Sequence, residues 1–131
     1  MVKEISAGGV IENNGKIVLV FQEKSKTWTL PKGRTNKKES IGETALREIY
    51  EETGIKNLKF IKMLGSYVRG HKEDPRLRKK IVILQFITSE DNLDPNDPEI
   101  SFARWVAIDE VENFLSYKKD KEFFLQVKGL L

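Results

Sequence analysis

Residues 33–55, GRTNKKESIGETALREIYEETGI, contain the pattern that decides the fold. Ser40 and Glu43 have the spacing of a capping box, which marks the start of a helix. Gly54 can adopt the left-handed conformation that ends many helices. The sequence therefore predicts a helix over residues 40–53.

Three glutamates share one side of this predicted helix. At about 100° per residue, Glu48, Glu51 and Glu52 fall within an arc of about 100°. Like charges at such spacings destabilise a helix, so stability alone would not select them. Carboxylate ligands suit Mg²⁺ or Mn²⁺ and leave room for phosphate oxygens. The pattern indicates a metal-dependent phosphoryl site, and the alternative is a solvated acidic face. The opposite side should pack on a sheet through Gly42, Leu46, Ile49, Tyr50 and Thr53.

The rest of the chain predicts a mixed sheet with helices packed on it. Runs at 5–11 and 16–22 flank an Asn-Gly turn and should form a hairpin. Further strands are expected at 28–30, 58–68, 81–88 and 102–107, and helices at 109–114 and 118–130. Residues 32–38 and the charged residues 69–80 should be loops, the second of them exposed.

Length and composition limit the classes of protein. The 131 residues suit one domain over 1–131, and the net charge of +3 does not favour a nucleic-acid partner. Absence of Cys and a single His exclude disulfides, thiolate zinc sites and a multi-histidine metal site. No signal peptide or membrane span is recognised, so a cytoplasmic protein is expected. The sequence does not reveal the oligomeric state.

The helix and the residues before it resemble a known family motif. Gly33, Glu39, the run Arg47-Glu48-Ile49, the pair Glu51-Glu52 and the pair Gly54-Ile55 match the Nudix box, G-x5-E-x7-R-E-U-x-E-E-x-G-U, at all nine fixed positions over 23 residues. The resemblance implies an α+β protein with the Nudix fold, an α/β/α sandwich with a mixed β-sheet and a catalytic helix. It also implies Mg²⁺-dependent or Mn²⁺-dependent hydrolysis of a nucleoside diphosphate linked to another moiety.

The resemblance also implies roles for individual residues. Glu48, Glu51 and Glu52 would be metal ligands, with the Gly33 carbonyl as a further one. Glu51, Glu52 or a carboxylate outside the box would deprotonate the attacking water. Arg47 would orient a glutamate by a charge-assisted hydrogen bond. Glu39 would be an outer-shell residue of the metal, or would simply complement the helix dipole.

Other segments resemble the diadenosine polyphosphate hydrolase branch of the family. These are residues 28–33, Glu99 six residues before Trp105, and residues 114–118. Glu99 would be a metal ligand or base, or one more acid of its loop. Lys32 is expected to contact phosphate, and so are Arg69, Lys79 and Lys80, unless their segment is a solvated loop. Two aromatic residues, Tyr67 and Phe86, could stack on a purine or belong to the core.

Three functions are therefore open. The first is hydrolysis of a dinucleoside polyphosphate such as diadenosine tetraphosphate. A second is a related pyrophosphatase activity on nucleoside triphosphates, nucleotide sugars, inositol pyrophosphates or RNA 5′ ends. The third is a non-catalytic module that binds a nucleotide and regulates a partner. Intact carboxylates argue against the third, because a pure binder has no use for repelling charges.

Overall fold

The computed structural model describes residues 2–70, 74 and 76–131. His71, expected to be exposed, lies outside the described residues. The strands are β1 Val2–Asn13, β2 Lys16–Gln22, β3 Thr27–Thr29, β4 Lys32–Arg34, β5 Lys59–Gly70, β6 Arg78–Ile87 and β7 Ile100–Ala107. The helices are α1 Ile41–Thr53, α2 Val111–Phe114 and α3 Lys118–Val127, with 3-10 turns at Ile108–Glu110 and Lys128–Leu130.

The hairpin of β1 and β2 opens as it leaves its turn. Asn14 and Gly15 have φ values of 52° and 76°, which suit a tight hairpin turn. The two strands pair beside this turn, through Glu12 with Ile17. Farther along, β4 pairs with β1 over 6–8, and β3 pairs with β2 over 20–22. The two short strands therefore line a gap between the diverging strands of the hairpin.

Parallel and antiparallel pairs make the sheet mixed. β1 runs parallel to β6, β5 is antiparallel to β6, and β7 is antiparallel to β2. The main strand order is β3-β2-β1-β6-β5. The predicted mixed sheet with packed helices, an α+β architecture, is confirmed.

Each side of the sheet has its own core. Ile49 of α1 packs with Ile11 and Leu84 on one side, and Phe124 of α3 packs with Leu19 and Ile83 on the other. Side chains alternate between the two faces of a strand, so the same strands supply both cores. The result is a sandwich of helix, sheet and helix. No helix in the described part of the chain is both long and apolar enough to cross a bilayer.

Helix α1 begins and ends as predicted, but it buries a different face. Ser40 and Glu43 form both hydrogen bonds of a capping box, and Gly54 has φ 81°. Leu46 is 46% exposed and Tyr50 39% exposed, so the expected packing stripe is wrong for both. The buried positions are Thr44, Ala45, Glu48, Ile49, Glu52 and Thr53. They follow helical spacing around Ala45 and Ile49, and this side of the helix includes two of the three carboxylates.

Two segments expected to be loops contain strand residues. Residues 32–34 form β4 rather than the start of a loop, because they pair with β1. Arg69 belongs to β5, and Lys79 and Lys80 belong to β6, with Arg69 directly opposite Lys79. The expected exposed loop over 69–80 is therefore wrong at both of its ends.

Candidate active site

Two buried glutamates of α1 meet the backbone of β4. The backbone N–H of Lys32 donates to Oε1 of Glu52 over 3.2 Å. A Cβ atom on Gly33 would lie 1.6 Å from Oε2 of Glu48. Glycine at position 33 is therefore required by close approach, and both carboxylates lie beside β4 in the gap of the hairpin.

Arg47 connects the acidic side chains of the box. Its Nε and Nη2 donate to the two carboxylate oxygens of Glu39 over 2.6 and 2.9 Å. Its Nη1 donates to Glu48 over 3.1 Å and to Glu51 over 3.2 Å. A further bond from Nη2 to the Arg34 carbonyl ties it to β4. Arg47 therefore binds Glu39 in bidentate fashion and bridges it to two glutamates of α1, while its orienting role stays a prediction.

Burial and like charge oppose ionisation of the two inner glutamates. Desolvation, followed by the charge of Glu51, raises the pKa of Glu48 to about 7. Desolvation also raises the pKa of Glu52, although the cation of Lys32 works against the increase. In contrast, the hydrogen bond from Arg47 lowers the pKa of Glu39 to about 2. A divalent cation beside Glu48 and Glu52 would offset their repulsion.

The acidic segment after β6 is attached to the end of α1. The N–H groups of Asn96 and Asp97 both donate to the carbonyl of Glu51, and that of Asp94 donates to Thr53. These bonds satisfy carbonyls that a helix end leaves without partners. The segment consequently brings Asp97 and Glu99 to the same cavity as Glu48 and Glu52.

Cations line another part of this cavity. Lys32, Arg69 and Lys79 are among its lining residues. Desolvation by burial, followed by the charge of Lys79, lowers the pKa of Lys32 to about 7, while Asp120 and Glu52 act in the opposite direction. Burial likewise lowers the pKa of Lys79. Buried cations that repel one another can be stabilised by an anion in the cavity.

The cavity of about 480 Å³ is large enough for a nucleotide-sized ligand. It brings together seven of the residues selected from sequence: Lys32, Gly33, Glu48, Glu52, Arg69, Lys79 and Glu99. Glu51 is not among its lining residues and is held by Arg47.

Three expected substrate contacts are corrected by the structure. Phe86 is 3% exposed in the core beside α1, so its ring is not accessible to a purine. Tyr67 stacks on Phe123 at 4.7 Å and donates its hydroxyl to Asp120, so it supports α3 instead. Lys80 is exposed and does not line the cavity, since adjacent strand residues point to opposite faces and Lys79 takes the inner position.

The donor set fits Mg²⁺. Glu48, Glu52 and the Gly33 carbonyl offer hard oxygen atoms, and the absence of a Cβ atom at Gly33 leaves Glu48 beside β4. No group of three or more acidic side chains within the described ranges is arranged as a ready metal cage. Mg²⁺ is usually bound through one or two carboxylates and keeps several waters, and the two buried glutamates can supply those carboxylates.

The comparison with protein families agrees with this site. The model described as NUDIX domain matches residues 2–127. The chain belongs to the Nudix family. Nudix hydrolase 6 of Arabidopsis thaliana is 34% identical over 122 residues, which cover 88% of this chain and 42% of that protein. The RNA pyrophosphohydrolase of Bartonella clarridgeiae is 33% identical over 113 residues, covering 72% of this chain and 65% of that protein.

The Nudix chain is shorter than these relatives, and spans less than half of the Arabidopsis protein. A solved structure with the same fold is the C. elegans Ap4A hydrolase binary complex, with a TM-score of 0.79 and 19% identity. That match covers 98% of this chain and 97% of the other. At 19% identity, this similarity shows that the two proteins share the Nudix fold and nothing more.

Among the residues at or beside the Nudix site that were not selected from sequence are Asp97, Tyr117 and Asp120. Asp97 was one acid among several in its loop, and only the docking of that loop on α1 distinguishes it. Tyr117 lines the cavity beside Arg69, and Asp120 lies behind it. The helical spacing of α3 signals that Asp120 lies with Phe123 and Phe124 on a buried face, which is unusual for a carboxylate.

Proposed function

We propose that this protein hydrolyses a diphosphate linkage in a nucleoside polyphosphate, with a dinucleoside polyphosphate such as diadenosine tetraphosphate as substrate. The observation that carries the proposal is the cavity, which is lined by carboxylates and by cations. Glu48 and Glu52 suit a divalent metal, whereas Lys32, Arg69 and Lys79 suit phosphate groups. Both requirements of a polyphosphate hydrolase are present in one space.

The proposed cofactor is Mg²⁺, for which Mn²⁺ could substitute. When bound, the ion would neutralise charge on the diphosphate and acidify water. Glu48, Glu52 and the Gly33 carbonyl would hold it, with Glu51 as a further acidic residue of the same helix. Arg47 keeps Glu48 and Glu51 in place through its hydrogen bonds.

The proton of the attacking water requires a carboxylate acceptor. Glu52 is buried and lines the cavity, Glu99 lines it from the acidic segment, and Glu51 lies beside Arg47. We assign proton acceptance to one of these three. The pH profiles of Glu51→Gln, Glu52→Gln and Glu99→Gln separate them, because the variant that lacks the base loses the acidic limb of kcat/KM.

The choice of a long polyphosphate rests on the cations. Three positive side chains lie in the same cavity as the carboxylates, and a polyphosphate carries more negative charge for them to bind than a simple diphosphate does. The segments at residues 28–33 and 114–118 also resemble the diadenosine polyphosphate hydrolase branch. A substrate with four phosphates would contact both parts of the cavity.

A second candidate substrate is the 5′ end of RNA. It is favoured by the relative from Bartonella clarridgeiae, which is named an RNA pyrophosphohydrolase. An RNA substrate would contact a wider basic surface, and its KM would rise steeply with salt. A dinucleoside polyphosphate would show a smaller dependence.

One panel assay tests the proposal. Turnover and products are measured with Mg²⁺ for diadenosine tetraphosphate, ATP, ADP-ribose and 5′-triphosphorylated RNA. We expect diadenosine tetraphosphate to be preferred and ATP to appear among its products. Glu52→Gln should lower kcat by about 10²–10⁴-fold, and Glu122→Gln on α3 is the matched control. Absence of Mg²⁺-dependent turnover on every substrate would reject the hydrolase function. A preference for ADP-ribose or RNA would reject the dinucleoside substrate.

A further inference from the structure

A buried aspartate of α3 lies behind the cationic part of the cavity. Asp120 is 1% exposed, and its Oδ1 accepts the hydroxyl of Tyr67 over 2.5 Å. The same oxygen lies 3.7 Å from Nε of Arg69. Its other oxygen, Oδ2, is buried without a hydrogen-bond partner in the described residues. Carboxylates are rarely buried in this way unless they are paired, so the position needs an explanation.

Arg69 is confined by its neighbours. Its guanidinium carbon lies 3.8 Å from the ring centroid of Tyr117, and its side chain is 10% exposed. Across the strands it is opposite Lys79. An aromatic ring thus lies against this guanidinium, and an anion lies 3.7 Å from its Nε, which has no hydrogen-bond partner among the described residues. Both neighbours restrict where the donors of the guanidinium can lie.

The charges in this part of the cavity do not balance locally. Lys32, Arg69 and Lys79 repel one another, and Asp120 and Glu52 are the acids that favour the charged form of Lys32. Since Glu52 is also assigned to the metal, Asp120 is the acid that remains beside Arg69 and favours the charged form of Lys32. Glu4 and Asp120 both favour the charged form of Lys79. An incoming phosphate chain would supply the missing negative charge.

We propose that Asp120 is a positioning residue which, through Arg69, fixes the part of the cavity that binds the non-reacting phosphates of the substrate. This inference rests on the proposed function and names a residue that controls its substrate affinity. Tyr67 contributes by holding Asp120 with its hydroxyl. The fold uses α3 in this way to support a binding surface on β5 and β6.

Electrostatic attraction and positioning predict opposite results for Asp120→Asn. Removing a negative charge makes the cavity more positive, so attraction alone would tighten the binding of an anion. If Asp120 positions Arg69, the same change releases the guanidinium and binding becomes weaker. A purely structural role would lower the melting temperature and leave the affinity of the folded protein unchanged.

The test measures binding of tripolyphosphate by calorimetry in EDTA, so that neither metal nor turnover is needed. We expect Asp120→Asn to raise Kd by about 5- to 30-fold. Glu122→Gln, on the same helix and paired with Lys119 at 3.6 Å, should bind as the wild type does. With a tetraphosphate substrate, Asp120→Asn should raise KM while kcat changes by less than about twofold.

Two further variants identify the route of the effect. Arg69→Gln should weaken binding, and adding Asp120→Asn to it should cause no further loss, because Asp120 acts through Arg69. Tyr67→Phe keeps the ring and should raise Kd in the same direction by a smaller factor. If Asp120→Asn does not fold, Tyr67→Phe and the Arg69 variant decide the outcome.

The proposal is overturned if folded Asp120→Asn binds tripolyphosphate as well as or better than the wild type, or if Tyr67→Phe leaves Kd unchanged. Additive effects of Asp120→Asn and Arg69→Gln would also overturn it. A wild-type protein that binds tripolyphosphate but hydrolyses no nucleotide would reject the proposed function and leave the role of Asp120 supported.

Discussion

Gly33 and Glu48 are so close that a Cβ atom on the glycine would lie 1.6 Å from the carboxylate oxygen. Gly33→Ala should therefore displace Glu48, and we expect kcat to fall by at least about tenfold. Gly42→Ala is the control, because the nearest atom to its added Cβ is 4.0 Å away and alanine favours a helix. Steady-state kinetics and circular dichroism of both variants check this. Wild-type activity of Gly33→Ala would show that Glu48 does not need its observed position.

Arg47→Lys should separate orientation from charge. Lysine keeps the positive charge but cannot reproduce the paired bonds to Glu39 or reach Glu48 and Glu51 with the same planar group. We expect kcat or Mg²⁺ affinity to fall by about 10- to 100-fold. Arg104→Lys provides the comparison, since Arg104 stacks on Phe114 at 5.1 Å, outside the cavity. Equal activity of the two variants would contradict the orienting role.

Mg²⁺ should stabilise the folded protein. Binding to the native state raises the melting temperature by mass action, and the ion would relieve the repulsion between Glu48 and Glu52. We expect the melting temperature to rise at millimolar Mg²⁺ and the rise to shrink in Glu52→Gln. Differential scanning fluorimetry with Mg²⁺, and with Ca²⁺ for comparison, measures the change in melting temperature of both proteins. A shift of equal size in Glu52→Gln would place the ion elsewhere.

Stability without metal should depend on pH in a defined window. Burial raises the pKa of Glu48 from 4.5 to about 7, so the folded protein holds this proton more tightly than the unfolded chain. The free energy of unfolding should consequently fall as pH rises from about 4.5 to about 7. Glu39 does not contribute in this window. The hydrogen bond from Arg47 lowers its pKa from 4.5 to about 2, so its effect on the free energy of unfolding is confined to pH values below about 4.5. Above about pH 7, the lowered pKa of Lys32 acts in the opposite direction.

Melting temperatures in EDTA at pH 5, 6 and 7 measure this dependence. Glu48→Gln lacks one of the two carboxyls with a raised pKa, the other being Glu52, and should show a flatter profile, with higher stability than the wild type near pH 7. Mg²⁺ should reverse the trend in the wild type, because it binds the ionised carboxylate. An identical profile for both proteins would contradict the assignment.

The buried face of α1 should contribute more to the free energy of unfolding than its exposed face. Ile49→Ala removes a fully buried side chain and should cost about 2–5 kcal/mol. Leu46→Ala changes a side chain that is 46% exposed, and we expect a cost within about 0.5 kcal/mol. Chemical denaturation of both variants gives the comparison. Similar costs would indicate that α1 packs through a different face.

Local sequence signals predicted the elements of the fold well. The Asn-Gly turn located the hairpin, and Ser40, Glu43 and Gly54 located both ends of α1. These signals succeed because each depends on hydrogen bonds or dihedral angles within a few residues. The packing face of α1 was harder, because Leu46 and Tyr50 are apolar enough to suggest burial although the sheet contacts Ala45 and Ile49.

The site residues within the Nudix box could be predicted from the sequence, whereas the positions of those contributed by other segments could not. The spacing of residues within the box is enough to select Glu48 and Glu52. The positions of Asp97 and Asp120 depend on contacts between segments that are distant in the chain, and so do the half-buried positions of Arg69 and Lys79 in the cavity. No local periodicity reports such contacts. The roles assigned to individual site residues stay predictions until their variants are measured.

The parallel pairing of β1 with β6 also has a consequence for how the protein is made. Gly8 pairs with Ile83, so β1 remains without this neighbour on the ribosome until β6 has emerged. Closing so long a loop is entropically slow, and contacts of this kind reduce folding rates. The pairing of β1 with β6 should therefore form late, after α1 has acquired its caps. Folding intermediates are then expected to have a helical α1 packed on an incomplete sheet.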